Sequence, residues 1–228
     1  MKILAVDTAT QICGIAVTSN HGLVAEYRLN QKNVHNEKLV GAIQDVMADC
    51  GCELGQLDGL AVSVGPGSFT GLRIGLAVCK GLAFTLDLPL VAVNTLDALA
   101  FQASPWPGQI CALLKAREGE VYFALYEKKR GQLQRCSDYQ IVTVSEVSRR
   151  LDQKTLLVAY PPDLMPDFLQ DNITQASADV AYLRPSTIAL MGEARLREHA
   201  TADIASLEPF YLKEFKPKKK AYYGESVR

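Results

Sequence analysis

The sequence predicts an α/β protein made of two lobes, each with its own β-sheet. Apolar or alternating segments of strand length are interspersed with longer segments of helical periodicity. A set of strands followed by helices occurs twice along the 228 residues, and the turn-forming stretch Ser104-Pro105-Trp106-Pro107-Gly108 separates the two sets. We therefore expect a first lobe over residues 1–104 and a second over 105–228. In an alternative arrangement, the last predicted helix packs back on the first lobe.

The first lobe is predicted to open with a meander of three strands, because apolar residues alternate on both sides of the turn Asn20-His21-Gly22. Buried strands are expected where short apolar runs precede glycine or asparagine, and Asn94 is suited to cap the helix that follows it. The predicted strands of this lobe are 2–7, 13–18, 23–29, 59–64 and 88–93, and its predicted helices are 36–49, 70–85 and 94–103.

The second lobe repeats this order with weaker signals. Two apolar segments flank a turn, and shorter strand-like and helical segments follow. Its predicted strands are 109–115, 120–126, 133–135, 140–144 and 155–159, and its predicted helices are 145–151 and 186–199.

Composition narrows the class of protein. The net charge is −1 with 21% charged residues, so no overall basic field attracts nucleic acid directly. Only four apolar residues follow Lys2 before Asp7, so no secretion signal is expected, and charged residues interrupt the longer apolar runs, so no membrane segment is expected either. The six cysteines form no zinc-ligand pattern, which favours a reducing, cytoplasmic location.

The most informative segment is VGPGSFTGLRIG at residues 64–75, between a predicted strand and a predicted helix. Gly65, Gly67 and Gly71 allow positive φ and a close approach of backbone, while Ser68 and Thr70 can cap the helix, whose free N–H groups attract anions. The spacing matches neither a Walker loop, which needs Lys-Ser/Thr, nor a nucleophile elbow, which needs G-x-S-x-G. This loop alone therefore predicts no catalytic centre.

With the start ILAVDTAT at residues 3–10, this segment resembles the TsaB (YeaZ) family. The resemblance continues through HNEKL at 35–39 and AREGEVY at 116–122, and more loosely through PFYLK at 209–213. It thus covers the chain from end to end and is strongest over residues 1–125.

The resemblance implies the actin-like fold that Hsp70 proteins and sugar kinases share. It also implies a non-catalytic subunit that supports TsaD, the enzyme that transfers threonylcarbamoyl to adenosine 37 of tRNA. Further implied partners are the TsaE ATPase, tRNA contacted through the complex, and a second copy of the chain in a homodimer. No membrane partner and no required cofactor are implied, and ATP or ADP at an interface between subunits is left open.

A phosphate-binding role is an alternative for Asp7, Gly65, Gly67, Ser68 and Thr70, since kinases of this superfamily use the equivalent positions. A phosphotransferase or ATPase is therefore the alternative function. Against it, an actin-like nucleotide cleft needs a glycine-rich turn in the second lobe, and no glycine occurs between Gly131 and Gly192. The chain also has Lys115 where relatives commonly carry Asp, which replaces a metal ligand by a cation.

Metal and peptidase chemistry have less support. The three histidines, His21, His35 and His199, are far apart, and His35 has Leu39 rather than a second histidine four residues on, so no metal site is predicted. A peptidase that uses Ser68 is a second alternative, without a local His–Asp signature.

The helices at 36–50 and 70–85 are the predicted docking surface for TsaD, because both carry more apolar residues than one buried stripe needs. The opposing interpretation is that both faces are covered within the lobe. The predicted partner-binding residues are Leu39, Ile43, Val46, Met47, Leu72, Gly75, Leu76 and Cys79. The basic and aromatic tail from Lys213 can contact RNA phosphates, although the sequence favours a solvated end of the chain over this role.

Overall fold

The computed structural model describes residues 1–20, 22–31, 34–164 and 171–212 and contains two sheets with helices on their faces. In the first lobe the order is β1 (Lys2–Asp7), β2 (Ile12–Ser19), β3 (Gly22–Asn30), α1 (His35–Asp49), β4 (Gly59–Gly65), α2 (Phe69–Leu86), β5 (Leu90–Asn94) and α3 (Thr95–Gln102). Every element predicted for this lobe is confirmed. Strand β5 begins two residues later than predicted because the Leu88 N–H still caps α2 at the Ala83 carbonyl.

The second lobe contains β6 (Gln109–Lys115), β7 (Glu120–Lys129), β8 (Gln132–Arg135), β9 (Gln140–Thr143), α4 (Val144–Val147), β10 (Thr155–Tyr160), β11 (Ile173–Gln175), α5 (Ala178–Ala181) and α6 (Pro185–Arg197). The predicted elements are again present, but the helix after β9 is one short turn followed by a 3-10 turn at Ser148–Arg150. The sequence analysis missed β11 and α5, which are three and four residues long and too short to show periodicity.

The first sheet has the strand order β3-β2-β1-β4-β5, and the second has β11-β10-β6-β7-β8 with β9 also paired to β7. Strand β1 runs antiparallel to β2, with Ala5 opposite Ala16, and parallel to β4, with Leu4 beside Leu60. This arrangement brings the ends of β1 and β4 together, so Asp7 and the loop after Gly65 lie at the same edge of the sheet.

The core consists of three apolar clusters that use alternate faces of the strands. Leu4 and Val6 face a cluster under α1 and α2, whereas Ile3 and Ala5 face a central cluster that also contains Ile110 and Ala112 of the second sheet. A third cluster lies on the far side of the second sheet around Phe123. Helices α3 and α6 contribute to the central cluster, so the two lobes share a continuous apolar layer.

Helix α6 contacts β1, β2 and β4 of the first sheet although it belongs by sequence to the second lobe. Its Gly192 allows this contact, because a Cβ at that position would lie 2.5 Å from the Cβ of Ala61. After α6 the chain continues along the first lobe as the strap, which we define as residues 201–212. The Ala202 N–H donates to the Leu90 carbonyl and the Phe210 N–H to the Val64 carbonyl.

Candidate functional site

The loop between β4 and α2 is held against the end of β1. Gly65 has φ +114, the left-handed region that favours glycine, and a Cβ there would lie 2.7 Å from the Phe210 carbonyl oxygen. A Cβ on Gly67 would lie 2.2 Å from the Ala9 carbonyl oxygen, and one on Gly71 at 2.2 Å from that of Thr8. Positive φ is thus confirmed at Gly65, whereas Gly67 and Gly71 are needed for the close approach of backbone.

The start of α2 is capped as the sequence predicts. The Ser68 hydroxyl accepts a hydrogen bond from the Gly71 N–H at 3.2 Å. Thr70 is an exposed residue of the first helical turn and does not cap it. The loop and cap together fix the first turn of α2 beside β1.

Asp7 is fully buried at the end of β1. Its Oδ1 accepts hydrogen bonds from the Ser63 hydroxyl at 2.6 Å and from the Ala9 N–H at 3.1 Å, and Oδ2 has no hydrogen-bond partner among the described residues. Burial raises the pKa of this carboxyl, and the Ser63 and Ala9 hydrogen bonds oppose the rise only in part. Asp7 therefore acts inside the lobe as the residue that organises the turn to Ala9.

A cleft of about 1200 Å³ lies between the lobes. Of the five residues predicted near phosphate, Gly67, Ser68 and Thr70 line this cleft, while Asp7 and Gly65 do not. The charged residues that the second lobe contributes to the lining are Lys115, Arg117, Glu120 and Asp163, and all but Glu120 are exposed. Within the described ranges no group of three His, Cys, Asp or Glu side chains could hold a metal ion.

The two histidines that the structure describes lie in positions that do not suggest a catalytic role. His35 is the first residue of α1, is buried, and places Nε2 3.1 Å from the Ile12 carbonyl oxygen. His199 is an exposed residue after α6. Among the described residues no histidine forms a hydrogen bond with Ser68, whose hydroxyl caps α2. His21 lies outside the described residues.

The eight predicted partner-binding residues need correction. All of them face the core of the first lobe: Leu39, Ile43, Val46, Met47, Leu72, Gly75, Leu76 and Cys79 are buried. Their spacing of three and four residues places them on the sides of α1 and α2 that pack on the sheet. The prediction selected the apolar stripe that packs in the core of the lobe, so these side chains are not presented at the surface of the described chain.

The outward faces of the same helices carry different residues. On α2 the exposed residues are Arg73 and Thr85 together with Thr70, Ala77, Gly81 and Phe84, and Phe84 is 83% exposed. The last four and four residues of α1 form the surface considered next. On α1, which packs beside α2, the exposed residues include Val40, Gly41, Gln44 and Ala48, with Val40 55% exposed. We call these eight residues the outer face. These eight residues are uncharged, but exposed charged residues of the same helices lie among and beside them: Glu37, Lys38, Asp45 and Asp49 on α1 and Arg73 on α2. The sequence pattern missed the eight because most of them are small.

The strap covers one flank of α2. Lys80 donates to the carbonyl oxygens of Ala205 and Leu207 at 3.3 and 3.1 Å, and the Arg73 Nε donates to the Tyr211 hydroxyl at 3.1 Å. Phe69 and Tyr211 also pack with ring centroids 5.2 Å apart. The two charged residues of α2 thus form hydrogen bonds within the chain, although Arg73 stays exposed.

Helix α2 is long and apolar enough to meet a length-and-composition criterion for a membrane span, with a mean hydropathy of 1.4. The sequence analysis had treated Arg73 and Lys80 as interruptions, and the helix meets the criterion in spite of them. In the fold, six of its residues are buried against the first lobe, and such a helix is weak evidence for a membrane location.

The fold defines the class of protein. A solved structure of the ethanolamine utilization protein EutJ from Carboxydothermus hydrogenoformans superimposes with a TM-score of 0.53 at 17% identity, over 84% of this chain and 90% of that chain. Two sheets with this order of strands and helices, and neighbours of this kind, identify the actin-like fold of Hsp70 proteins and sugar kinases.

Sequence comparison gives the family. The family model described as "TsaD: tRNA N6-adenosine threonylcarbamoyltransferase" matches residues 22–220. The tRNA threonylcarbamoyladenosine biosynthesis protein TsaB of Bacillus subtilis is 33% identical over 93% of this chain and 94% of its own length. The solved YeaZ structure from Pseudomonas aeruginosa has a TM-score of 0.77 at 25% identity, over 92% of this chain and 99% of that chain. The chain belongs to the TsaB (YeaZ) family.

Proposed function

We propose that this chain is the TsaB subunit that binds and supports a TsaD-like catalytic subunit in the formation of threonylcarbamoyladenosine at position 37 of tRNA. The observation that carries the proposal is the outer face of α1 and α2. It combines small residues with an exposed phenylalanine and valine, and charged residues of the same helices surround it, in a chain whose relatives are named for this biosynthesis. Small residues on a helix surface allow another helix to come close, and an exposed aromatic residue is a frequent anchor of interfaces.

We propose that the chain itself is not catalytic. Two features of the cleft support this. The buried Asp7 does not line the cleft, and the second lobe has Lys115 where relatives commonly carry a carboxylate. Glu120 and Asp163 also line the cleft, so the positions of Asp7 and Lys115, and not an absence of carboxylates, disfavour the competing phosphotransferase and ATPase functions. No cofactor is required by this chain in our proposal.

The peptidase alternative would need a base beside Ser68. The described histidines do not contact Ser68, and its hydroxyl accepts a hydrogen bond from the helix backbone. A cap of this kind is a structural role that explains Ser68 without catalysis.

The proposal also covers further partners, nucleotide binding and the location of the protein. We expect TsaE as a further partner, tRNA contacted through the assembled complex, ATP or ADP only at an interface between subunits, and a cytoplasmic location. A homodimer can use the same outer face when TsaD is absent. The basic tail, including Lys213–Lys220, lies outside the described residues, and its contact with tRNA stays a prediction.

The proposal is tested by reconstitution. Purified TsaD-like and TsaE-like proteins from the same genome are supplied with tRNA and a threonylcarbamoyl donor, with or without this chain, and modified adenosine is measured by mass spectrometry. We expect product only when this chain is present. Equal product with and without it would overturn the proposed function.

A further inference from the structure

A carboxylate on α3 joins three other elements of the molecule. Asp97 Oδ1 accepts hydrogen bonds from the hydroxyl of Tyr126 on β7 at 2.9 Å and from that of Tyr139 at 2.7 Å. The Arg195 guanidinium of α6 lies 3.8 Å from Oδ2. Because α3 follows the first sheet and both tyrosines belong to the second lobe, this single side chain connects the lobes.

Tyr139 is also held from the opposite side by the strap. Its ring packs edge-on against Phe210, with centroids 5.3 Å apart, and the Arg135 guanidinium lies over its face at 4.0 Å. The Phe210 N–H donates to the Val64 carbonyl at 2.7 Å, so Phe210 is fixed at the end of β4. A second connection therefore runs from the first sheet through the strap to Tyr139.

The hydroxyls of Tyr126 and Tyr139 remain hydrogen-bond donors at neutral pH. Burial and the nearby Asp97 charge raise the pKa values of Tyr126 and Tyr139 above the ordinary tyrosine value, so both hydroxyls remain protonated donors. Only 22% of the Asp97 side chain is exposed, and hydrogen bonds to a charged group with little solvent competition are stronger than neutral ones at the surface.

The contacts lie at the border of the central apolar cluster, which includes residues from both sheets. Tyr126 is one of its buried members, and Tyr139 packs against it. Movement of one lobe relative to the other would have to separate the Asp97 contacts and the Phe210–Tyr139 contact while exposing part of this cluster. A closely packed apolar core of this kind resists gradual deformation.

We infer that Asp97, Tyr126, Tyr139 and Phe210 form an interlobe clasp, which holds the two lobes at one relative position and keeps the cleft at a fixed width. The clasp is a conformational device of this chain and is independent of the proposed partner. It makes the protein a rigid body, whereas hinge closure around a ligand requires lobes that can move.

The test measures the distance between the lobes in the full chain. Ketone-bearing residues that take a nitroxide label replace the exposed Ala48 on α1 and Gln132 on β8, so that the native cysteines are left unlabelled. Pulsed electron resonance then records the distance distribution for the wild type and for Asp97→Ala/Phe210→Ala. The matched control is Asp152→Ala, because Asp152 is an exposed residue outside the clasp and its contacts.

We expect one narrow distribution for the wild type and the control, and at least a twofold wider or a shifted distribution for the double variant. The milder Tyr139→Phe variant removes one hydroxyl and keeps the ring, and it decides the question if the double variant does not fold. Here too we expect a broader distribution than in the wild type. A folded variant, checked by circular dichroism, with an unchanged distribution would overturn the clasp.

Discussion

At the scale of single residues, the approach of α2 to β1 depends on the absence of side chains. Gly71 and Gly75 face Thr8, and a Cβ on either would lie 2.2 Å from a Thr8 oxygen. Gly81, on the same helix, has no atom within 4 Å of the equivalent position and lies on the outer face. The glycines of α2 thus differ in their surroundings. Gly71 and Gly75 allow a close contact inside the lobe, whereas Gly81 lies on the open surface of the helix.

This contrast gives a matched pair of variants. Gly71→Ala should destabilise the protein by about 1–3 kcal/mol, since the methyl group meets backbone that cannot move away cheaply. Gly81→Ala should raise the free energy of unfolding by up to about 1 kcal/mol, because alanine favours helix and nothing obstructs it. Urea denaturation of both variants measures this. Equal effects of the two substitutions would contradict the close contact at Thr8.

Asp7 predicts a pH dependence of stability. Because burial raises its pKa in the folded protein, the folded state holds its proton more tightly than the unfolded chain does. The contribution of Asp7 to stability is therefore complete below the unfolded pKa, close to 3.8, and is lost as the pH rises through the higher folded pKa. In Asp7→Asn this loss should disappear, so the variant should gain stability relative to the wild type as the pH increases.

Unfolding free energies from pH 4 to pH 8 provide the comparison, and Asp45→Asn serves as the control because Asp45 is an exposed residue of α1. If the Asp7→Asn and wild-type curves run parallel, Asp7 is not perturbed by burial.

At the scale of elements, α1 and α2 show what sequence alone could establish. Their position, length and apolar character were predicted, because helical periodicity and the Ser68 cap are local properties. On α1 the exposed charged residues Glu37, Lys38, Asp45 and Asp49 mark the outward side. On α2, which has only two charged residues, the sequence does not show which apolar residues face outward, and only the position of the sheet and the strap distinguishes the two sides.

The same limit applies to the cleft and the clasp. The glycine turn at residues 65–71 was recognisable because its residue types are specific for a turn. Asp97, Tyr139 and Phe210 come together from positions 42 or more residues apart, and no local pattern links them. Contacts that depend on how α3, β7 and the strap meet in three dimensions leave no periodic signal in the sequence.

The inner and outer sides of α2 can be separated by charge substitutions. Leu76→Asp places a carboxylate in the core of the first lobe, where 4% of Leu76 is exposed, and should cost about 3 kcal/mol or more. Phe84→Asp changes a residue that is 83% exposed and should leave the midpoint of urea unfolding within the range of an ordinary surface substitution. Unfolding of Phe84→Asp as severe as that of Leu76→Asp would contradict the assigned orientation of α2.

At the scale of the whole molecule, the features agree with a subunit that presents a surface and does not itself turn over a substrate. The carboxylate at the end of β1 is used to hold the fold and does not line the cleft, and the clasp connects the lobes. The strap forms hydrogen bonds with both charged residues of α2, and the exposed Phe84 and Val40 lie on the outer face. Exposed apolar residues of this size, close together, are typical of a surface that binds another protein.

The most direct test of this account is the affinity of the purified chain for the TsaD-like subunit of the same genome, measured by isothermal titration calorimetry. Phe84→Asp puts a charge on the outer face that would be desolvated and unpaired on docking, so it should weaken binding by about 100-fold or more, which corresponds to about 2.7 kcal/mol. The control Gln132→Asp makes the same charge change on the exposed strand β8 and should bind like the wild type. If folded Phe84→Asp binds as tightly as Gln132→Asp and the wild type, the docking surface is not the outer face of α1 and α2.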